Sequence, residues 1–510
     1  MKKKISQAVD LVCSDQCSYF KPGAKEDLAC RGYAVLQEFI ARHPEIMEQM
    51  ARAKTEPFED AHHHVLHHFL CRYCDFFITD CDFTDPQNHT QALPCGGYVV
   101  LDKLLQHAPD FGQQLLRATA PPDIRLALSP YCVPKRLEKP YLYDLRADEL
   151  YELDQAGFDF LAHCDGTRTL EEMSLDKAFL ETCLEEQLLV LDRSCQQRRF
   201  TLRPSPIPSL RYLELQLTDR CNLRCKHCYL GETKNADLPL SEALSVLAEF
   251  EKIQGLRVLF SGGEPLLYPE ISVLAKQLSR FAVRKVLLTN GTLLRKTNLS
   301  DWSCFDEIQF SLDGLKKGHE TLRGPGTIGQ TLQGIKAAQS QGIPVSIATM
   351  VHRGNVSELR KMGRWIAREG FVEWNIDVPC RTGRLCEHDD LVVPPHEAAP
   401  FLKLATGGSY HGADEPFACG YHLCTVTPRG AVLKCGFFPG TPLGSLKDGL
   451  EVSWKRSRHI PLTDLECAPC PHLPACKGGC RFRADSPKGK DPVMCAFFAS
   501  LQTPQNKYLD

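Results

Sequence analysis

From about residue 205 to 390, short β-rich runs alternate with amphipathic segments, and this alternation limits the chain to very few folds. Strands are predicted at 211–217 (RYLELQL), 256–260, 285–289, 307–311, 344–350 and 371–377. Between most of them, segments such as LSEALSVLAEFEKI and GQTLQGIKAAQSQG repeat apolar residues at helical spacing. Repeated strand–helix units imply a parallel sheet, and six of them imply an open or partial (β/α)6 barrel whose chemistry collects at the C-terminal strand ends. The fold class expected is α/β.

Directly after the first strand comes LTDRCNLRCKHCYLG, which packs Cys221, Cys225 and Cys228 into eight positions. The rest of the chain makes these thiols informative. The net charge of -3 gives no electrostatic case for nucleic acid or an anionic membrane as partner. The opening MKKKISQAVDLVCSDQC has no apolar core of a signal peptide, and no run of 18 apolar residues occurs, so a cytoplasmic location is expected. In that reducing compartment the 25 cysteines are expected as metal or redox groups rather than disulfides, and they cluster at 13–95, 221–228 and 380–495.

The C-x3-C-x2-C spacing, with His227 before the last cysteine, resembles the signature of the radical S-adenosylmethionine (SAM) superfamily. A zinc knuckle or buried thiols would be the alternative reading of three cysteines alone. The resemblance implies a [4Fe-4S] cluster on Cys221, Cys225 and Cys228. Its fourth iron takes SAM, which is then cleaved to a 5′-deoxyadenosyl radical. It extends to SGGEP after the second strand (Gly262, Gly263, Glu264, Pro265), TNG after the third (Asn290), and SLDG and LRGPG beyond the fourth. By that resemblance the glycine turn carries main chain to the SAM amino group, and Ser311 with a bidentate Arg323 holds its carboxylate.

A second cysteine array, Cys419, Cys435, Cys467, Cys470, Cys476, Cys480 and Cys495, resembles the SPASM extension of peptide-modifying radical SAM enzymes, which holds two auxiliary four-iron clusters; zinc ribbons are the rival. Seven thiolates do not complete two sites. Cys424 is the candidate eighth ligand, with Cys380 and Cys386 also near. By analogy the first cluster takes Cys419, Cys424, Cys435 and Cys480, and the second takes Cys467, Cys470, Cys476 and Cys495.

The proline-rich stretch at 203–209 marks a boundary. Before it, residues 137–192 resemble the small winged-helix-like peptide-recognition domain of ribosomal peptide maturation systems; a helical spacer against the barrel is the other reading. Residues 1–110 carry a weak duplication, Cys17 to Leu36 recurring as Cys74 to Leu101. Cys13, Cys17, Cys30, Cys71, Cys74, Cys81 and Cys95 are candidates for a further metal site, and His64, His68 and Cys71 are expected on one helical face; a solvated histidine-rich helix is the alternative.

The expected domains are a Cys-rich helical domain at 1–120, a peptide-recognition-like domain at 135–200, a radical SAM core at 205–390 and a SPASM domain at 400–510. The resemblances imply radical modification of a ribosomally made precursor peptide, for example by thioether or carbon–carbon crosslinking, with electrons from a donor such as ferredoxin or flavodoxin. An enzyme acting on a tetrapyrrole or other small molecule, and an iron–sulfur electron-transfer or scaffold protein, are the alternatives. Sulfatase maturation fits less well. Enzymes of that kind carry an acidic base directly after the cysteine that here precedes Gly436. No general base is identified from the sequence.

Overall fold

The computed structural model describes residues 10–17, 30–74, 76–77, 81, 83, 92–120, 123–173, 176–192, 197–200, 202–294, 302–407 and 416–502. The chain divides into two compact units, Met1–Pro134 with Glu152–Phe200, and Lys135–Tyr151 with Thr201–Asp510.

The second unit is built on a nine-stranded sheet. Its strands are β1 (Tyr212–Thr218), β2 (Arg257–Gly262), β3 (Arg284–Thr289), β4 (Glu307–Ser311), β5 (Val345–Met350), β6 (Glu373–Asp377), β7 (Leu423–Val426), β8 (Ala431–Leu433) and β9 (Gly444–Ser445). Strands β1 to β6 pair in chain order and in parallel. This is the open α/β sheet that the sequence pattern predicts. Among the described residues four of the five crossovers carry a helix, such as Leu240–Lys252, which buries Ala243, Val246, Leu247 and Phe250 at helical spacing. With helices covering the sheet, β1 reads as a nearly continuous buried run, Leu213, Leu215 and Leu217 all lying in the main core with Phe260, Phe310 and Trp374.

Strand β7 lies outside the sequence prediction. It adds in parallel beside β1, and β8 and β9 continue antiparallel from it. The sheet therefore runs directly into the second cysteine array. Gly430, the glycine of C-x10-G-x4-C, turns the chain between β7 and β8 with φ +72°, a left-handed conformation that side chains disfavour.

Residues 135–151 also belong to this unit. Lys135 is buried and donates from Nζ to Gly255 O at 2.7 Å, and Arg284 Nη1 donates to Leu145 O at 2.5 Å.

In the first unit, Arg125–Leu128 is the central strand of an antiparallel sheet between Asp165–Thr169 and Leu189–Asp192, with helices Gln155–His163 and Lys177–Glu185. Asp154 and Asp176 cap those helices by accepting from Gly157 N at 2.7 Å and Phe179 N at 2.9 Å. This strand–helix unit thus draws its middle strand from upstream of 135.

Parts of both duplicated segments lie outside the described residues, but their ends are seen. Helices Arg31–Arg42 and Gly96–His107 cross where a Cβ on Gly32 would lie 2.7 Å from Gly97 Cα, so only glycine allows the contact. The crossing sets the Cys30 and Cys95 sulfurs 3.7 Å apart. The histidine-rich helix spans His63–Phe69, and Cys71 lies beyond it as the first residue of a separate turn. His68 Nδ1 is 2.8 Å from His64 O, a bond inside the helix.

Candidate functional site

A cavity of about 290 Å³ opens at the C-terminal ends of the parallel strands. Cys221, Cys225, Cys228 and His227 line it, together with Gly262, Gly263, Glu264, Asn290, Ser311 and Arg323. Pro265 is buried as the first residue of the short turn Pro265–Leu267, where its missing N–H costs no bond.

The glycine turn is explained by what it touches. A Cβ on Gly263 would stand 2.3 Å from Arg220 O, and one on Gly262 would stand 2.1 Å from Thr218 O. Gly263 N donates to Thr218 O and Glu264 N to Arg220 O, each at 2.8 Å. The immediate need for glycine is close docking of this turn onto the start of the cysteine loop. Glu264, 1% exposed, accepts from Thr289 Oγ1 at 2.7 Å and Asn290 N at 2.8 Å. Burial outweighs these donors and raises its pKa to about 7. Asn290 Nδ2 in turn donates to Asn222 Oδ1 at 3.0 Å, tying the end of β3 to the cysteine loop.

Arg323 is oriented by Asp313, the acidic residue of SLDG. Its Nε donates to the fully buried Asp313 at 2.5 Å, and its Nη1 lies 3.9 Å from Cys225 Sγ. The guanidinium edge bearing Nε is thus committed to protein. Three imidazoles surround this pair. His319 and His352 are fully buried, and with His227 each has one ring nitrogen without a hydrogen-bond partner among the described residues. Burial pushes His227 down to about 3 and His319 to about 4, so both rings are neutral.

The second array separates into two groups. The Cys480 thiol is in hydrogen-bonding contact with Cys380 and Cys419, and Cys435 lies near both Cys419 and Cys480. Those contacts with Cys380 and Cys419 pull the Cys480 thiol down. Cys424 does not join them. It sits on β7 with 0% exposure, packed into the main apolar core, where burial drives its thiol up. Alternation along a strand points adjacent side chains to opposite faces, and at Cys424 the inward face is the core. Cys386 is exposed. Cys467, Cys470, Cys476 and Cys495 line a separate cavity of about 180 Å³ with Asp491. Asp491 Oδ2 accepts from Cys480 N at 2.7 Å and Arg483 Nη2 at 3.0 Å, linking the two groups.

These residues fit iron–sulfur clusters. Thiols converge in groups of three, four and four, and the three-thiol group faces a cavity that also holds the Arg323 guanidinium and His227, whose Nδ1 has no hydrogen-bond partner among the described residues. Among the described residues no three His, Cys, Asp or Glu side chains are placed to hold a single metal ion. A cubane makes a different demand, because its own irons and sulfides stand between the thiolates.

The family model of the Radical SAM superfamily matches residues 215–366. The AdoMet-dependent heme synthase of Nitratidesulfovibrio vulgaris is 24% identical over 58% of this chain and 95% of its own length. The PqqA peptide cyclase of Gluconobacter oxydans is 30% identical over 57% of this chain and 91% of its own length. The crystal structure of Streptococcus suis SuiB bound to precursor peptide SuiA shares the fold, at TM-score 0.51 and 16% identity, over 72% of this chain and 99% of that one. Among the described residues no helix is long and apolar enough to cross a membrane. The chain belongs to the radical SAM superfamily, whose members use a [4Fe-4S] cluster and SAM.

Proposed function

We propose that this enzyme modifies a ribosomally made precursor peptide by radical chemistry, forming a thioether or carbon–carbon crosslink. The observation that carries the reading is its 30% identity to a peptide cyclase across 91% of that relative. The strand–helix unit around Arg125–Leu128 supports it, since exposed sheet edges accept an extended peptide as an added strand.

In this reading Cys221, Cys225 and Cys228 hold the SAM-binding cluster. Main chain at Gly262–Gly263, with Asn290, Ser311 and Arg323, positions SAM, and Asp313 fixes the Arg323 fork. Cys380, Cys419, Cys435 and Cys480 hold one auxiliary cluster, and Cys467, Cys470, Cys476 and Cys495 hold the other. A donor such as ferredoxin or flavodoxin supplies the electron. The clusters supply electron transfer and the radical precursor; the protein's part is to bind, orient and exclude water.

Similarity to heme synthases favours a second reading, radical remodelling of a tetrapyrrole. Co-expression with candidate Cys-rich precursor peptides, and in parallel incubation with a porphyrin, followed by mass spectrometry, separates the two. Loss of two hydrogens from a peptide supports the first reading. Unmodified peptides together with a consumed porphyrin support the second.

A further inference from the structure

The cavity wall carries a carboxylate that no cofactor assignment uses. Glu214 on β1 lines the cavity beside Tyr229, Ser261 and Phe437. Its Oε1 accepts from Ser261 Oγ at 2.8 Å, Tyr229 Oη at 3.1 Å and Gln216 Nε2 at 3.3 Å, and its Oε2 accepts from Thr425 Oγ1 at 2.8 Å. Donors from β1, β2, β7 and the cysteine loop thus aim one carboxylate at one place. Three of the donors are hydroxyls, which can rotate and accept, so the group keeps partners when it is protonated.

What lies opposite Oε2 is also informative. A Cβ on Gly436 would stand 3.2 Å from Glu214 Oε2 and 3.2 Å from the Tyr229 ring. Position 436 directly follows Cys435, and its missing side chain leaves room that the Glu214 carboxylate occupies. Cys380 lines the same cavity, as do Cys225 and Arg323. Proton and electron acceptors would therefore share the space in which the radical is made.

We propose that Glu214 is the proton acceptor for the substrate, an inference that rests on the peptide-crosslinking reading. Joining C–H to X–H, with X sulfur or carbon, forms one C–X bond and removes two hydrogens. One leaves as an atom to the 5′-deoxyadenosyl radical and gives 5′-deoxyadenosine. The other leaves as a proton to Glu214 and an electron to an oxidised iron–sulfur cluster, the acceptor class this step requires. Glu214 turns from carboxylate to carboxylic acid and releases the proton to water at the cavity mouth.

The test uses the full chain, reconstituted anaerobically and given SAM, dithionite and a Cys-rich candidate precursor peptide that the parent enzyme modifies. The ratio of modified peptide to 5′-deoxyadenosine is read by mass spectrometry. In E214Q that ratio falls about 100-fold, within the range general bases contribute. A defect of shape would lower both products together and leave the ratio intact. Placing a carboxylate on the facing position, as E214A/G436D, restores the ratio to within about tenfold of the parent, because acid–base work tolerates a new origin if the oxygen returns to the same place. An unchanged ratio in E214Q, loss of iron in E214Q, or failure of the double variant to exceed E214A overturns the proposal. A parent enzyme that forms 5′-deoxyadenosine but alters no candidate peptide overturns the substrate reading instead.

Discussion

Replacing Asp313 tests whether a buried ion pair frames the cavity. The carboxylate is 0% exposed, accepts from Arg323 Nε at 2.5 Å and accepts from Met350 N at 2.8 Å. Burial alone would raise its pKa; the Arg323 guanidinium overcomes that and holds it at about 2, from an ordinary 3.8. The difference corresponds to roughly 2–3 kcal/mol of folding stability. Its sign is that of a depressed carboxylate. The contribution is complete above the unfolded pKa and fades as pH falls toward 2. Asp313→Ala also strands a buried guanidinium and leaves the Met350 N–H without its acceptor, and losing one partner of a buried pair costs about 3–5 kcal/mol. We expect a destabilisation in that range at pH 7.5. Urea unfolding followed by tryptophan fluorescence reads it cleanly, because all four tryptophans, at 302, 365, 374 and 454, lie in the second unit. A shift below about 1 kcal/mol would refute the reasoning, since it would mean Arg323 is solvated or paired elsewhere.

Three further outcomes follow from the same geometry. Reconstituted protein should carry about twelve irons per chain; iron near four would count against both auxiliary sites. Cys380→Ser should lose about four of those irons, whereas Cys424→Ser should keep them all, and the opposite pattern would return Cys424 to the ligand set. Buried Lys135, lowered to about 8 by desolvation, binds fewer protons folded than unfolded between pH 8 and 10.5. The second unit should therefore gain roughly 3 kcal/mol on titration through that window, a gain that Lys135→Met removes, as paired denaturation curves would show.

Much of the second unit was legible because its signals are local. All six parallel strands lie where β-rich runs were read, since burial on both faces imposes an apolar pattern with little ambiguity. The cysteine loop, the glycine turn and Arg323 share one cavity for a topological reason: consecutive parallel strands bring their C-terminal loops together. Relations across long stretches of chain were not legible. Cys380 and Cys424 are both near the array in sequence, yet strand alternation turns Cys424 into the core while the loop after β6 delivers Cys380 to Cys480. Strand β7 was missed because it is short and owes its place to pairing with β1. Glu214 reads in sequence as one polar residue of an alternating strand, and only the fold shows four donors converging on it. The strand Arg125–Leu128 was missed because its partners lie beyond an insertion that belongs to the other unit.

The most direct test of the whole account is a reductive cleavage assay on paired proteins. Anaerobic wild-type chain with dithionite and SAM should release 5′-deoxyadenosine and methionine, and Cys225→Ala should release neither. Equal cleavage by both proteins, or zinc in place of iron and sulfide at residues 221–228, would contradict it.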